Sequence, residues 1–549
     1  MLMRVWILLL AVSLAPAATR DFDVVVYGAT AGGVMTAVAA ARHGLKTVLL
    51  EPRRHVGGMA TGGLSRTDAG TREVIGGLAL EFYYRVGAKY DIRRFKNPVA
   101  WFYEPKVGEQ VMREMLAESG VTLLFDHRLR EKSGVEKTGR RITALVVANG
   151  DVFRGRVFAD CSYEGDVMAQ AGVSYATGRE GVEQYKEPLA GVRDRTPGHQ
   201  FPFDVPALDA ASKPLPEITA QRPAKPGTAD KGIQAYNFRI IATNVAANRV
   251  PWPRPDGYNA ARYELLARYL EAFQKHNNRA PVFNELTLIA LIPNGKADFN
   301  NNGPFSTDYI GKDYEYPDGS YAIRDRLWQE HTVYVQGFYY FLAHDPRVPR
   351  SLHAEVNQWG LCQDEFTDTA HWPHQLYVRE ARRMVGEFVA TQKDLQTELT
   401  KPDVIGMGSY NSDSHNIRRF VNERGMAENE GNMEVAVKPY QIPFRVLLPK
   451  RVEIENLLNP VTFSASHVAY SSLRMEPQYM ILGHAAGIAA SLAIRAGTPV
   501  QDVSVPDLQK ALLQEAAVFN YVATPQQSAL DLIHKKMRPK PPLLNNWEY

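Results

Sequence analysis

Residues 23–51 alternate in a way that leaves few folds open. The apolar run Val24-Val25-Val26-Tyr27 reads as a buried strand, and it breaks at Gly28-Ala29-Thr30-Ala31-Gly32-Gly33. A helix with the small residues Ala37, Ala39, Ala40 and Ala41 follows, then a second strand, Thr47-Val48-Leu49-Leu50, ending on Glu51. Gly28 admits the tight turn and Gly33 lets the helix lie close on the strand. The helix N-terminus then presents free N–H groups and the positive end of its dipole to a pyrophosphate. Glu51 stands about 20 residues past the turn, where an acid receives ribose hydroxyls. Thr30 takes the place of the usual middle glycine. Strand, turn, helix, strand and acid in this order make an adenine dinucleotide site.

A leader precedes that unit. Arg4 is followed by an apolar run over residues 5–14 and by the small residues Ala15, Ala17 and Ala18. Residues 1–18 have the layout of a secretory signal and are too short to span a bilayer. The expectation is a periplasmic or secreted protein with no membrane span in its mature chain; an uncleaved anchor is the alternative. No Arg-Arg pair precedes the apolar run, which speaks against a folded-export route.

With 549 residues the chain exceeds what one core usually serves, so two domains or one domain with large insertions are expected. A net charge of +3 gives no case for nucleic acid or an anionic membrane. Cys161 and Cys362 are the two cysteines, too few and too far apart for iron–sulfur, c-type haem or cysteine–zinc sites. A disulfide between them is open after export. Eight prolines between 187 and 232 mark a long irregular excursion over the active site, or else a disordered linker.

Three further pieces point to a flavin and not to nicotinamide alone. His55-Val56-Gly57-Gly58-Met59-Ala60-Thr61-Gly62-Gly63-Leu64 is a second glycine cluster, where backbone N–H groups can approach a phosphate or a flat ring. Residues 142–147 and 152–159 flank Asn149-Gly150 as a hairpin whose second strand ends in Asp160-Cys161-Ser162-Tyr163-Glu164-Gly165-Asp166. In proteins with this plan such a turn closes over the adenosine end of FAD, and Cys161 fills a small-residue slot. Far downstream, Ser464-Ala465-Ser466-His467 and Arg474-Met475-Glu476-Pro477 lead into a small-residue helix containing Gly483-His484-Ala485-Ala486-Gly487. Its N-terminal end can face the flavin pyrimidine, where negative charge gathers on reduction.

On Gly57–Leu64, Tyr163-Glu164-Gly165-Asp166, Arg379-Glu380-Ala381-Arg382-Arg383 and Ser464–His467, the chain resembles the FAD-dependent oxidoreductase family of exported bacterial flavoproteins. Some members are labelled xanthan lyase, and the family is distantly similar to fumarate reductase flavoprotein subunits. The resemblance runs over about 22–498. It implies FAD, an FAD domain split in sequence and an inserted substrate domain. The cofactor-binding set so expected is Gly28, Thr30, Ala31, Gly32, Gly33, Glu51, Pro52, Gly57, Gly58, Met59, Gly62, Gly63, Leu64, Leu129, Asp160, Cys161, Ser162, Gly165, Arg474, Gly483, Ala485, Ala486 and Gly487. Covalent attachment of FAD through His55 is the lesser of two readings.

Residues 373–390 read as a helix with the buried stripe Val378, Ala381, Val385 and Phe388. Arg379 and Arg383, with Arg382, would cluster on its other side, to hold a substrate carboxylate or to pair with Glu380 and Glu387. Ser409-Tyr410-Asn411-Ser412-Asp413-Ser414-His415 places a phenol, a carboxylate and an imidazole together. His415 or Tyr410 can serve as the base while hydride goes to flavin N5, with His467 a further candidate; a structural loop is the alternative. Residues 294–303 match the first positions of a calcium loop, but Tyr309 stands where the closing Glu should be. No metal is expected there; a polar loop lining the substrate cavity through Lys296 and Asp298 is. Tyr334, Phe338, Tyr339, Tyr340 and Phe341, with Trp252, Trp359 and Trp372, read mainly as core, though aromatic faces also stack on sugars.

The expectation is therefore an α/β protein with a Rossmann-like FAD-binding domain split over 22–172 and 439–497. An α+β substrate or cap domain fills 173–438, and 498–549 form a C-terminal appendage. The function expected is oxidation or reduction of a small organic substrate, a sugar or carboxylate among the candidates, with electrons exchanged with an external acceptor. The alternatives are a non-redox lyase or isomerase acting on a carbohydrate, and an exported carbohydrate-binding flavoprotein.

Overall fold

The computed structural model describes residues 18–90 and 98–521. Residues 1–17 of the expected leader and residues 522–549 of the expected appendage lie outside them. Strand β1 (Val24–Tyr27) is buried along its whole length. Val24 and Val26 face the layer of helix α1 (Ala31–Arg42), while Val25 and Tyr27 face a layer containing Ile142, Leu145 and Phe153. Cover on both faces is why this strand reads as an unbroken apolar run. β1 pairs in parallel with β2 (Thr47–Leu50). Helix α2 (Gly77–Gly87) follows, and β2 pairs on its far side with β3 (Thr122–Leu124).

Thr30 is the N-cap of α1. Its Oγ1 accepts a hydrogen bond from the Gly33 N–H at 3.2 Å and donates to the Cys161 carbonyl at 2.8 Å. The residue standing where a glycine is usual thus fastens the helix start to the strand end beside it.

The expected hairpin forms only in part. Arg141–Val146 pairs antiparallel with Val152–Arg154; the chain then turns at Gly155 and residues Val157–Asp160 enter the parallel sheet as β4, beside β1. Gly155 lies against the Val25 and Phe158 side chains, so the change of partner happens where there is no room for a Cβ.

The chain leaves this sheet after β4 and builds a second one, wholly antiparallel. It contains β5 (Ile240–Thr243), β6 (Arg249–Val250), β7 (Thr287–Ile292), β8 (Lys296–Asn301) and β9 (Gly360–Cys362), in the order β6-β9-β5-β8-β7. The polar loop expected over 294–303 is therefore mostly a strand. Helix α3 (Tyr321–His344) starts at Ser320, whose Oγ caps the Ile323 N–H. Its aromatic residues pack inward: Tyr339 stacks on Trp252 at 4.4 Å and Tyr334 on Tyr309 at 4.3 Å. The proline-rich excursion is irregular and is anchored by buried Phe201, Val205, Ala207 and Leu215.

No helix forms over 373–390. The segment runs extended: Tyr377 bridges Asn237, and Arg383–Met384 makes a short strand with Tyr175–Ala176. Arg379, Glu380, Arg382 and Arg383 are all buried; the arginines turn to Asp308, Asp318 and Glu180, and Glu380 pairs with Arg383. A helix would gather them on one face, so tertiary pairing overrides local propensity here.

The chain then returns to the first sheet. β10 (Leu457–Leu458) pairs in parallel with β4, giving the order β10-β4-β1-β2-β3. Helix α4 (Glu476–Ala496) lies along α1. It is long and apolar enough to cross a membrane, but here it is a buried core helix. A Cβ on Gly483 would overlap the Gly32 carbonyl, and one on Gly487 would meet the Thr36 carbonyl and Ala39 Cβ at 2.5 Å. Beyond it, Val505–Gln514 packs on α4, and Glu515 accepts from His43 and His484 at 2.9 and 2.8 Å. Cys161 and Cys362 are free and buried, so the disulfide does not form. Gly483→Val should separate the two helices and destabilise the protein by about 1–3 kcal/mol, seen as a lower thermal midpoint. Gly139→Asn, at an open left-handed turn, should leave the midpoint almost unchanged.

Candidate functional site

The dinucleotide turn opens into a cleft of about 320 Å³ lined by Gly28, Thr30, Glu51, Pro52, Arg53, Arg128, Ser162, Tyr163, Glu164, Tyr316, Tyr321 and Trp328. Gly28 takes φ +92° and a Cβ there would sit 2.8 Å from the Ser162 nitrogen. Ala31, Gly32 and Gly33 form the first turn of α1, and Glu51 faces them. Its carboxyl accepts from the Ala29 and Arg53 N–H groups, each at 2.8 Å. Burial nevertheless outweighs those hydrogen bonds and pushes it up to about 7.

The second glycine cluster packs against two residues that line this cleft, Tyr163 and Gln375. Gly57, Gly58 and Gly63 all have positive φ. Met59 donates its N–H to the Tyr163 hydroxyl at 2.9 Å, and Tyr163 donates to Glu476 at 2.7 Å. Gly62 lies against the Gln375 side chain and Gly63 against the Arg239 carbonyl, with Leu64 buried behind them.

Just past this cradle lies a buried constellation of charges. Asp298 on β8 receives Arg239 through two hydrogen bonds of 2.8 and 2.7 Å, and also the Ser65 and Arg66 N–H groups at 2.9 Å. Asp308 receives His415 Nδ1 at 2.8 Å and lies 3.0 Å from Arg379. Arg379 also bonds the Ala235 carbonyl. Asp413 lies 3.7 Å from His415 Nε2 and 3.5 Å from Arg474, which donates to the Asp413 carbonyl at 2.8 Å and to the Tyr377 hydroxyl at 3.1 Å. Burial works against both aspartates, but Arg379 and His415 hold Asp308, and His415 and Arg474 hold Asp413, below the usual carboxylate range. Tyr410 joins them: Asp68, and then burial, push its phenol well up. His199, from the proline-rich excursion, is pushed down by burial and by neighbouring His415.

His415, Arg379, Tyr410 and Arg474 are thus brought together, while Arg383 and His467 are not among them. Both of the latter bind Glu380, with His467 Nδ1 at 2.8 Å, and Arg383 also bonds Glu180 at 2.7 Å. Burial raises Glu380, yet His467 and Arg383 bring it to about 2. Gln234 links this cluster to the first, donating to Glu380 at 2.7 Å and accepting from the His415 N–H at 3.4 Å.

Several expected contacts are engaged by the protein itself. Leu129 donates its N–H to Tyr27 and offers its carbonyl to Tyr321. The Asp160 carboxyl holds Ser162 and Met168, burial taking it to about 6. Cys161 packs beneath Gly33, where burial pushes its thiol up, and Gly165 caps the helix Asp166–Ala171. Gly483 and Gly487 face α1, and Ala485 and Ala486 are buried within α4. His55 lies between Glu109 and Asp368 at 3.1 and 3.0 Å and stacks on His374. Lys296 does not reach the constellation: its ammonium sits 2.6 Å from Glu104, 2.8 Å from Asp364 and 2.6 Å from Glu365, the position a cation would take among those carboxylates.

A family model described as FAD dependent oxidoreductase matches residues 23–512, and the chain belongs to that family. Its cofactor is FAD, and the protein is a flavoenzyme. No curated protein matches the chain. Among solved structures, OxyS anhydrotetracycline hydroxylase from Streptomyces rimosus is 19% identical, covering 30% of this chain and 36% of that one at a TM-score of 0.19. L-amino acid deaminase from Proteus vulgaris is 16% identical over 30% and 53%, with a TM-score of 0.23. THI4 from Thermovibrio ammonificans is 14% identical over 29% and 67%, with a TM-score of 0.21. The chain spans between about a third and two thirds of the length of these solved chains.

The residues present fit FAD. Gly28 and the first turn of α1, Ala31-Gly32-Gly33, leave the turn beside the cleft free of long side chains, and the second glycine cluster adjoins it through Tyr163 and Gln375. At the start of α4, Glu476 Oε2 and both amide atoms of Gln478 are buried without a partner in the described residues. Each such atom costs about 1–3 kcal/mol unless a ligand answers it. Sequence reasoning missed Arg239, Asp308 and Gln478; a lone charge in the otherwise uncharged stretch Ile233–Ile241 was the available signal for Arg239. Asp298→Asn should leave the buried Arg239 guanidinium with Asp68, at 3.7 Å, as its nearest carboxylate in place of two close hydrogen bonds. A loss of about 3–5 kcal/mol in denaturant unfolding is expected.

Proposed function

We propose that the protein oxidises a small organic substrate by hydride transfer, with His415 as the base and Asp308 and Asp413 as its supports. The observation that carries this is the His415 imidazole between two aspartates, each paired to its own arginine. FAD, when bound, supplies the two-electron acceptor for the hydride. Asp308 accepts from Nδ1 and so fixes the tautomer, which leaves Nε2 to take a proton from the substrate O–H or N–H. Arg379 and Arg474 keep both aspartates ionised, so the imidazolium formed is stabilised and the proton does not pass on to a carboxylate. Electrons then leave to an external acceptor, in a periplasmic or secreted setting.

Gly28 to Gly33 would hold the pyrophosphate, Glu51 the ribose, and Gly57 to Leu64 the flavin ring. Anaerobic screening of alcohols, sugars, hydroxy acids and amines for bleaching of the flavin band finds the substrate. With it, His415→Asn and Arg379→Lys should load FAD normally but slow rapid-reaction bleaching by about 10²- to 10⁴-fold. Near-normal bleaching in both variants returns the pair to a structural role.

A pH dependence of loading follows from Glu51. Its carboxyl is raised in the folded protein to about 7, so the acid form dominates below that and ionises as pH rises through it. Ribose hydroxyls donate to the carboxylate, so FAD affinity of the stripped protein should climb as pH rises through about 7 and level off about one unit above it. Glu51→Gln should bind more weakly and lose the slope. A titration by flavin fluorescence quenching that shows the same slope in both proteins removes Glu51 from the ribose.

A further inference from the structure

The His415 constellation is asymmetric in charge where it meets solvent. Its arginines are sealed: the side chains of Arg239, Arg379 and Arg474 are 2%, 0% and 1% exposed. Its open charges are two carboxylates, Asp68 and Asp413, each with 24% of its side chain exposed, and His415 beside them has 12%. Two stretches of chain frame this opening. Residues 66–71 follow the second glycine cluster and are held to residues 409–413. The Thr71 N–H donates to Ser409 Oγ at 2.8 Å, and a Cβ on Gly70 would stand 2.8 Å from the Ser409 carbonyl oxygen. Arg66 and Arg72, the basic residues at either end of the first stretch, turn to the Phe102 ring instead.

Neither carboxylate is satisfied. Asp68 has no hydrogen bond among the described residues, and its nearest cation is Arg239 at 3.7 Å. Asp413 turns Oδ2 to Arg474 and His415 and leaves Oδ1 without a partner among the described residues. Burial raises the Asp68 carboxyl above the usual range and Asp413 adds to this, with Arg239 offsetting only part. Asp68, more than burial, keeps the neighbouring Tyr410 phenol protonated, and His199, lowered by burial, brings no charge. A neutral hydroxyl would leave the repulsion between the two acids in place. A cation with several N–H donors removes it, because each carboxylate then gains a charge-assisted hydrogen bond, roughly twice as strong as a neutral one. The three N–H donors of a primary ammonium match Asp68, Asp413 Oδ1 and the His415 Nε2.

We propose that Asp68 and the open oxygen of Asp413 hold the ammonium group of a primary amine, which makes amines the substrate class of the His415 site and Asp68 its specificity-determining residue. The proposal rests on the reading of this constellation as the substrate site. His415 Nε2, 3.7 Å from Asp413, takes one N–H proton from the ammonium. Hydride leaves the adjacent carbon for FAD as the C=N bond forms, and water then converts the iminium to a carbonyl compound and an ammonium ion. A substrate carboxylate is repelled by the same two acids, since the arginines that could receive it are sealed.

The test is calorimetric binding to the FAD-loaded protein at constant ionic strength, with three probes of one shape: tert-butylammonium, tert-butanol and pivalate. The ammonium probe has no hydrogen on the carbon next to nitrogen, so it binds without being oxidised. In the wild-type protein it should bind about 10- to 100-fold more tightly than tert-butanol, with pivalate weakest. Asp68→Asn should remove about tenfold of that preference and leave tert-butanol unchanged, while Asp68→Glu should restore part of it. Equal binding of tert-butylammonium and tert-butanol, or an undiminished preference in Asp68→Asn, would overturn the proposal. If Asp68→Asn fails to take up FAD, the wild-type ranking decides: ammonium ahead of alcohol supports the proposal, and parity or the reverse overturns it. Failure of the base reading looks different. Normal anaerobic bleaching by benzylamine in His415→Asn, with the ammonium preference retained, would count against His415 as base and for the amine as substrate.

Discussion

The contact between α1 and α4 is the constraint on which the site depends. Two helices separated by about 430 residues of chain touch through backbone at Gly32 and Gly483, and again at Gly487. Interaxial distances in ordinary helix pairs are set by side chains of Leu or Ile size, and such a spacing would leave the two N-termini well apart. Glycine at the crossing brings them together. The N-terminal turn of α1 and the polar first turn of α4 then lie side by side. Ala39 and Ala40 serve the same end opposite Gly487: they fill little volume and let main chain meet main chain.

Charge burial is the second constraint, and it falls mainly on the segment between the two visits to the parallel sheet. Arg239, Arg379, Arg383 and Arg474 are all almost fully buried, and each has a carboxylate of its own or a shared one. Such pairs add little net stability over an apolar core, because desolvation consumes most of the Coulombic gain. Their value lies elsewhere. An aspartate held ionised by an arginine keeps its charge when a neighbouring imidazole is protonated, so the direction of proton movement is built in. The Glu380 cluster repeats the device around His467, one glutamine away from His415. A chain can tolerate this many buried ions only where each is answered, which is why residues 373–390 follow their partners and abandon the helix their spacing implies.

What the sequence made legible follows from the range of the forces involved. The strand–turn–helix–strand unit is governed by neighbours, and β1, α1 and β2 form where periodicity and glycine spacing put them. The buried character of α4 was readable from its small residues. The hairpin over 142–159 was half right, because the switch of ladder partner at Gly155 is a tertiary event with only one glycine to mark it. Arg383 and His467 looked equivalent to Arg379 and His415 by residue type. Their separation into two clusters depends on Asp308 and Glu380, which lie far off in sequence from the histidines they bind. Leu129, expected at the cofactor, has both backbone groups bonded by tyrosine hydroxyls, and no local pattern announces a Tyr27 or a Tyr321 in that role.

Thr30 shows how a departure from a motif can tighten it. A glycine at this position leaves the helix start capped only by solvent or ligand. Threonine adds an acceptor for the Gly33 N–H, and its hydroxyl proton goes to the carbonyl of Cys161. The second bond matters more for the site than the first, since it ties the pyrophosphate turn to the end of β4, from which Ser162 and Tyr163 project. Tyr163 reaches Met59 and Glu476 from that same point. A small displacement of the first turn would therefore be felt at the second cradle and at the start of α4. The first turn of α1, the second glycine cluster and the start of α4 are thus coupled through one threonine and one tyrosine.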